Sequence, residues 1–182
     1  MRFMAATYPV RTPFATHPMD KSASPRQPAR MAMKTPINIP RVAVRALIVQ
    51  DDRLLLVNAY GGGTSDLWCA PGGGVNAGTS LPENLMREVM EETGLTITVG
   101  APALVNEFHD PKSGFHQVDI FFRCTIIAGA IDGAWQDPEG VVTQRRWVTR
   151  ADLAQIRFKP DSLPDAAWGH DALYDPLEVI VP

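Results

Sequence analysis

Three glutamates, Glu88, Glu91 and Glu92, stand at i, i+3 and i+4, a spacing that puts their carboxylates on one face of a helix. Together they offer hard oxygen ligands, the donor type that suits Mg²⁺ or Mn²⁺. Their placement is locally unfavourable. Like charges at these spacings cost about 0.2–0.5 kcal/mol per pair, and acids in the last turns of a helix oppose its dipole at about 0.3–1 kcal/mol each. A solvated acidic face is the ordinary fate of helical glutamates. Three acids converging against local preference, soon after a glycine turn, point instead to a divalent cation that converts repulsion into coordination. Arg87 lies among them, four residues from both Glu83 and Glu91. There it serves as an ion-pair partner or holds a carboxylate in its ligating orientation.

The elements around these residues follow from local signals. Ser80-Leu81-Pro82-Glu83 has the form of a capping box, with Ser80 as N-cap and Glu83 at N3, and Gly94 suits the C′ position that ends the helix. Leu81, Leu85 and Val89 form one apolar stripe and Met86 and Met90 an adjacent one, so that side should pack on a core. Gly72, Gly73 and Gly74 precede the helix and permit a tight turn with close backbone approach to a metal or phosphate. Gly61, Gly62 and Gly63 read only as a flexible loop. Upstream, residues 42–49 are an apolar, β-branched run that turns at Asp51-Asp52 into residues 53–58, its expected hairpin partner. Downstream, strands are expected over residues 95–99, 103–108, 118–127 and 146–149, and a helix over 151–156. The Pro- and Asp-rich residues 160–182 match no simple template. Intermixed strands and helices indicate an α/β sandwich with a mixed sheet.

Composition sets the outer bounds. The chain has 182 residues, 45% hydrophobic and 20% charged, as expected of one ordinary globular domain. No apolar run is long enough to span a bilayer. Cys69 and Cys124 have no paired-ligand spacing, which disfavours a disulfide framework or a structural zinc site and fits a reducing, cytoplasmic setting. The net charge of -3 hides an asymmetry. Residues 1–40 carry six Lys/Arg against one acid (+5), leaving eleven bases against nineteen acids (-8) in the other 142. A domain of that charge has no general attraction to a polynucleotide, and a small anionic substrate needs a bridging cation. Residues 1–40, proline-rich and without apolar periodicity, are expected to be a disordered or loosely ordered basic extension, with Met31 or Met33 as alternative starts.

The run from Gly73 through Thr79 to Arg87-Glu88-Val89-Met90-Glu91-Glu92-Thr93-Gly94-Leu95 closely resembles the Nudix box of the MutT-like Nudix hydrolases. That pattern is G, five residues, E, seven residues, REU, any residue, EE, any residue, GU, with U aliphatic. Every defined position matches except Thr79, where the family has Glu. The likeness takes in Trp68, Pro71-Gly72-Gly73 and Arg146-Trp147-Val148, and covers roughly residues 41–158. It implies a Nudix-type α/β/α sandwich with a mixed β-sheet, occupying residues 41–182. It implies Mg²⁺- or Mn²⁺-dependent hydrolysis of a pyrophosphate bond in a nucleoside diphosphate derivative, either ADP-ribose-like or a noncanonical nucleoside triphosphate.

The resemblance also implies roles. Glu88, Glu91 and Glu92 correspond to the metal-binding carboxylates and the Gly72 carbonyl to a further ligand. Glu88 is the candidate base for water, with Arg87 and Glu91 beside it in the catalytic set. Gly73 and Gly74 would approach substrate. A later loop supplies an additional acid in many relatives; Glu139 is the candidate here and Asp137 the alternate. Pro111, sixteen residues after Leu95, lies near the position of a proline in ADP-ribose-cleaving relatives, although Asp-Pro-Lys-Ser-Gly is also an ordinary turn. Phe108, with Tyr60, Phe115 and Trp135, is a candidate for stacking on a base, and His109 and His116 flank the same loop. Thr79 can accept a hydrogen bond from Arg87 but brings no charge, so weaker loop order or lower turnover is expected. That departure is the support for an alternative, a catalytically weak Nudix-fold module that binds nucleotides or regulates. Dimers are frequent in the family, which makes a homodimer an expectation as well.

Overall fold

Residues 43–48 form the middle of a central strand because their side chains are covered on both sides of it, Arg45 half-buried and the others buried. The computed structural model describes residues 39–180, so the extension expected over 1–40 lies outside the described residues apart from Ile39 and Pro40. In β1 (Arg41–Gln50), Val44, Ala46 and Ile48 enter one core and Leu47 the other, the two-residue alternation of a strand covered on both faces. β1 runs parallel to β6 (Phe115–Ala128), which pairs antiparallel with β5 (Thr96–Asp110), and β5 runs parallel to β8 (Leu173–Val179). On its other side β1 takes β4 (Gly72–Gly74) antiparallel. β2 (Arg53–Asn58), β3 (Trp68–Cys69) and β7 (Arg145–Thr149) complete the mixed sheet.

Helix α1 (Leu81–Thr93) buries Leu85 and Val89 on one face of the sheet with Leu55, Leu95, Ile97 and Phe122. On the other face, α2 (Leu163–Trp168) and a single 3₁₀ turn (Asp152–Gln155) cover Leu47, Leu54, Leu104 and Phe121 with Leu163, Ala166 and Leu153. The result is the expected α/β/α sandwich around a mixed sheet.

Several local expectations are corrected. The β1–β2 hairpin pairs only at its tip, Val49 with Leu54 and Gln50 with Arg53, across a turn in which Asp51 and Asp52 both take positive φ. Beyond it the strands diverge, β1 to β6 and β2 to β7. The two strands expected at 95–99 and 103–108 are one strand with register shifts around Pro102, a bulge that bends the strand without ending it. The helix expected over 151–156 is only the 3₁₀ turn. Met86 and Met90 are 39% and 36% exposed; Leu85 and Val89 suffice to dock α1. Gly61–Gly63 forms a short 3₁₀ turn. The tail at 160–182 contributes α2 and the edge strand β8, which a proline at position 176 disguised in the sequence.

Candidate active site

The carboxylate helix is built as its sequence specifies. The Ser80 hydroxyl accepts from the Glu83 N–H and the Glu83 carboxylate accepts from the Ser80 N–H, closing the capping box. Gly94 takes φ +73° and its N–H donates to the Met90 carbonyl at 2.9 Å. The last turn carries no basic residue of its own, yet its carbonyls are met from elsewhere in the chain. Trp135 Nε1 donates to the Glu91 carbonyl at 2.9 Å, and Arg145 Nε donates to that of Glu92. The Arg145 guanidinium thus offsets, at the helix end, the dipole penalty that the acids incur.

Each acid has a distinct setting. Arg87 forks between two of them, Nη2 donating to Glu88 Oε1 at 2.7 Å and Nη1 to Glu91 Oε2 at 2.8 Å. Glu88 is the more enclosed, its side chain 13% exposed against 31% for Glu91. Burial raises the Glu88 carboxyl above the usual carboxylate range, although Arg87 opposes the shift. Glu92 accepts from the Gly72 N–H at 2.7 Å. Burial pushes its carboxyl up to about 8; Arg45 and the Gly72 N–H pull it down, while Glu88 and Asp137 push it further up. Destabilised anions of this kind are the hard oxygen donors that a divalent cation relieves. Among the described residues no three acidic, His or Cys side chains already close around one point. The cation now lying between Glu88 and Glu91 is the Arg87 guanidinium. The donor set suits Mg²⁺ or Mn²⁺ in chemistry, and its closure would require these side chains to reorient.

The glycine loop presses against this set. A side chain at Gly73 would overlap the Glu88 carboxylate, and one at Gly74 the Arg41 guanidinium. Gly72 takes φ +137°, and a side chain there would overlap the Val44 carbonyl. The Gly72 carbonyl, expected to face a metal, accepts from Arg45 Nη1 at 2.7 Å. Arg45 in turn binds Asp119 through Nε at 3.1 Å, Asp119 accepts from Gln117 Nε2, and the Gln117 amide oxygen accepts from Arg41 Nη1 at 2.9 Å. A polar chain therefore runs from β6 through both β1 arginines to the glycine loop. Arg41, Arg45, Gln117 and Asp119 escaped the sequence analysis, although two arginines within an apolar strand were a signal, since a charge in such a run needs a buried partner.

Asn84 escaped it too. Thr79 makes no bond to Arg87. Asn84, fully buried in the first turns of α1, accepts from the Asn76 N–H and donates to the carbonyls of Thr79 and Ser80, and Arg87 Nη2 reaches its amide oxygen at 3.5 Å. The amide thus ties the loop to the helix where the expected family glutamate is missing.

The late loop separates its two acids. Asp137 is buried and accepts from the N–H groups of Glu139, Val141 and Val142, so it shapes the loop. Glu139 is exposed to the cavity and raises Glu88 through its charge. Asn58 pins the next residues, accepting from the Thr143 and Gln144 N–H groups.

A cavity of about 500 Å³ collects Gly72, Gly73, Gly74, Arg87 and the carboxylates of Glu88, Glu91, Glu92 and Glu139. It adjoins a second of about 210 Å³, and Arg41, Arg45, Ala59 and Cys69 line both. Tyr60, Phe108 and Phe115 lie in the second, the phenylalanine rings 6.0 Å apart. Pro111 is exposed in the turn between β5 and β6 and lines neither. Trp135 packs against Gly94 instead of a cavity, and His116 faces Glu107 at 3.4 Å.

Comparison with known proteins agrees with this arrangement. The model of the NUDIX domain matches residues 39–169. An ADP-ribose pyrophosphatase of Methanocaldococcus jannaschii is 32% identical over 92 residues, half of this chain and 54% of that protein. A putative ADP-ribose pyrophosphatase of Bacillus subtilis, YjhB, is 29% identical over 93 residues, half of this chain and 43% of that protein. The chain thus spans about half the length of the curated relatives it matches. A NUDIX hydrolase of Nitrosomonas europaea with a solved structure shares the fold at a TM-score of 0.60 with 22% identity, over 70% of this chain and 86% of that one.

Proposed function

This chain belongs to the NUDIX domain family, and from that premise we propose that it is a divalent-cation-dependent pyrophosphohydrolase acting on a nucleoside diphosphate derivative of the ADP-ribose type. One observation carries the reading: the carboxylates of Glu88, Glu91, Glu92 and Glu139 and the guanidinium groups of Arg41, Arg45 and Arg87 line a single cavity that continues into an aromatic one. A pyrophosphate resists hydrolysis because its charge repels nucleophiles. A bound Mg²⁺ or Mn²⁺ would neutralise that charge and acidify water.

The chain's own residues supply the rest. Glu88, Glu91, Glu92 and Glu139 are the groups to hold the cation. Arg41 and Arg87 offer the charge that orients phosphoryl oxygens. Glu88, raised above the ordinary carboxylate range and held against Gly73, is suited to accept the proton of water. The aromatic cavity is placed to take the nucleoside end, and the names of the two curated relatives favour ADP-ribose over a triphosphate. A weak binding module is disfavoured, because Asn84 supplies the loop tie that Thr79 does not.

The test is hydrolysis of a panel of nucleoside diphosphate derivatives and nucleoside triphosphates with Mg²⁺. The expected result is turnover of ADP-ribose and a loss of roughly 100-fold or more in kcat for Glu88→Gln, the size of a lost general base. Turnover of nothing in the panel, or wild-type rates from Glu88→Gln, would overturn the reading.

A further inference from the structure

Asn106, on β5, is 3% exposed and lines the aromatic cavity, yet its Nδ2 has no hydrogen-bond partner among the described residues. In the sheet register Asn106 stands opposite Asp119 of β6 on one side and Asp175 of β8 on the other. Asp119 already accepts from Arg45 and Gln117, and Asp175 from the Ser162 hydroxyl. The amide donor is thus flanked by two carboxylates that other groups hold, neither within hydrogen-bond distance of it, in a wall shared with Phe108 and Phe115.

A buried donor without a partner destabilises a fold, and a leucine of similar size would not. We propose that Asn106 is a specificity-determining residue, its Nδ2 donating to an acceptor on the nucleobase, a ring nitrogen or a carbonyl oxygen, held at the ring faces of Phe108 and Phe115. The inference rests on the nucleotide reading above and adds the group that distinguishes a base from a bare sugar phosphate. Flat aromatic surface binds any planar ring; a single desolvated donor discriminates, because a ligand without an acceptor leaves it unpaired.

The experiment measures binding without turnover. Full-length protein in EDTA is titrated calorimetrically with AMP, GMP, UMP and CMP, and with ribose 5-phosphate, which lacks the base. Wild type is compared with Asn106→Leu and Asn106→Met, and thermal unfolding of each is recorded. The expected result is that Asn106→Leu binds the tightest of the four nucleotides at least tenfold more weakly, binds ribose 5-phosphate as wild type does, and melts at the same or a higher temperature. Asn106→Met, a second apolar side chain without a donor, should show the same selective loss. Unchanged nucleotide affinity in both variants, or an equal loss for nucleotide and ribose 5-phosphate, overturns the proposal. Wild type that hydrolyses ADP-ribose but binds no nucleoside monophosphate overturns this proposal and leaves the hydrolase reading standing. Selective binding without hydrolysis of any substrate does the reverse.

Discussion

Arg45 on β1 and Gly72 on β4 are joined by a 2.7 Å hydrogen bond from the guanidinium to the glycine carbonyl. The same guanidinium holds Asp119, whose side chain is 4% exposed. Burial alone would weaken the charge on Arg45, but Asp119, Cys69 and Glu92 around it raise its pKa on balance. Arg45 therefore stays cationic and sets the position of the loop that faces the carboxylate helix.

Arg45→Met should leave Asp119 buried without its counter-ion. Breaking a buried pair in this way costs about 3 kcal/mol, the low end of its range being apt because the Arg45 side chain is 18% exposed. Denaturant unfolding measures the loss. The double variant Arg45→Met, Asp119→Leu should recover much of it, and a double variant no more stable than the single would show that the pair is not the cause.

Adjacent glycines should fail in different ways. A methyl at Gly73 meets a side chain, the Glu88 carboxylate, whereas one at Gly72 meets the Val44 backbone at a φ that disfavours any side chain. Gly73→Ala should keep its unfolding midpoint while kcat falls roughly 100-fold through displacement of Glu88. Gly72→Ala should lose stability first. Equal effects of the two on melting temperature would contradict this assignment.

Asn84→Ala removes the tie between the glycine loop and α1. With backbone groups left unpaired in a buried site, a loss of about 1–3 kcal/mol is expected, together with a lower kcat. Adding Thr79→Glu to that variant should restore part of the rate if the two residues serve one purpose. The same change in the wild-type background should do little, since Asn84 already holds the Thr79 and Ser80 carbonyls.

Cys69 borders both cavities, yet burial pushes its thiol up to about 11 in spite of Arg45, which favours the thiolate. Below that value it is protonated, and only rising pH generates the nucleophile. Iodoacetamide labelling at pH 8, followed by mass spectrometry, should proceed at about one-hundredth the rate of a thiol at its ordinary value, since each unit of pKa is tenfold in thiolate. Labelling should accelerate steadily with pH. Labelling as fast as that of a free thiol at pH 8 would refute the assignment.

The carboxylate helix was legible in the sequence because everything that makes it is local. A capping box, a three-to-four-residue apolar stripe and a terminating glycine lie within Ser80–Gly94 and need no distant partner, and the metal-type acids are read from the same spacing. The strand character of β1 was legible for the same reason, as an apolar, β-branched run. What the sequence could not reveal lay in the pairing of distant segments. β1 leaves its hairpin partner for β6, and that parallel register brings Arg41 to Gln117 and Arg45 to Asp119, 76 and 74 residues apart. It also decides that the Gly72 carbonyl is held by an arginine, that Asp137 is spent on backbone N–H groups while Glu139 faces the cavity, and that Asn106 Nδ2 lacks a partner among the described residues. Local propensity fixes which residues can form an element; which polar groups end up satisfied depends on what other strands carry into reach, and only the folded sheet settles that.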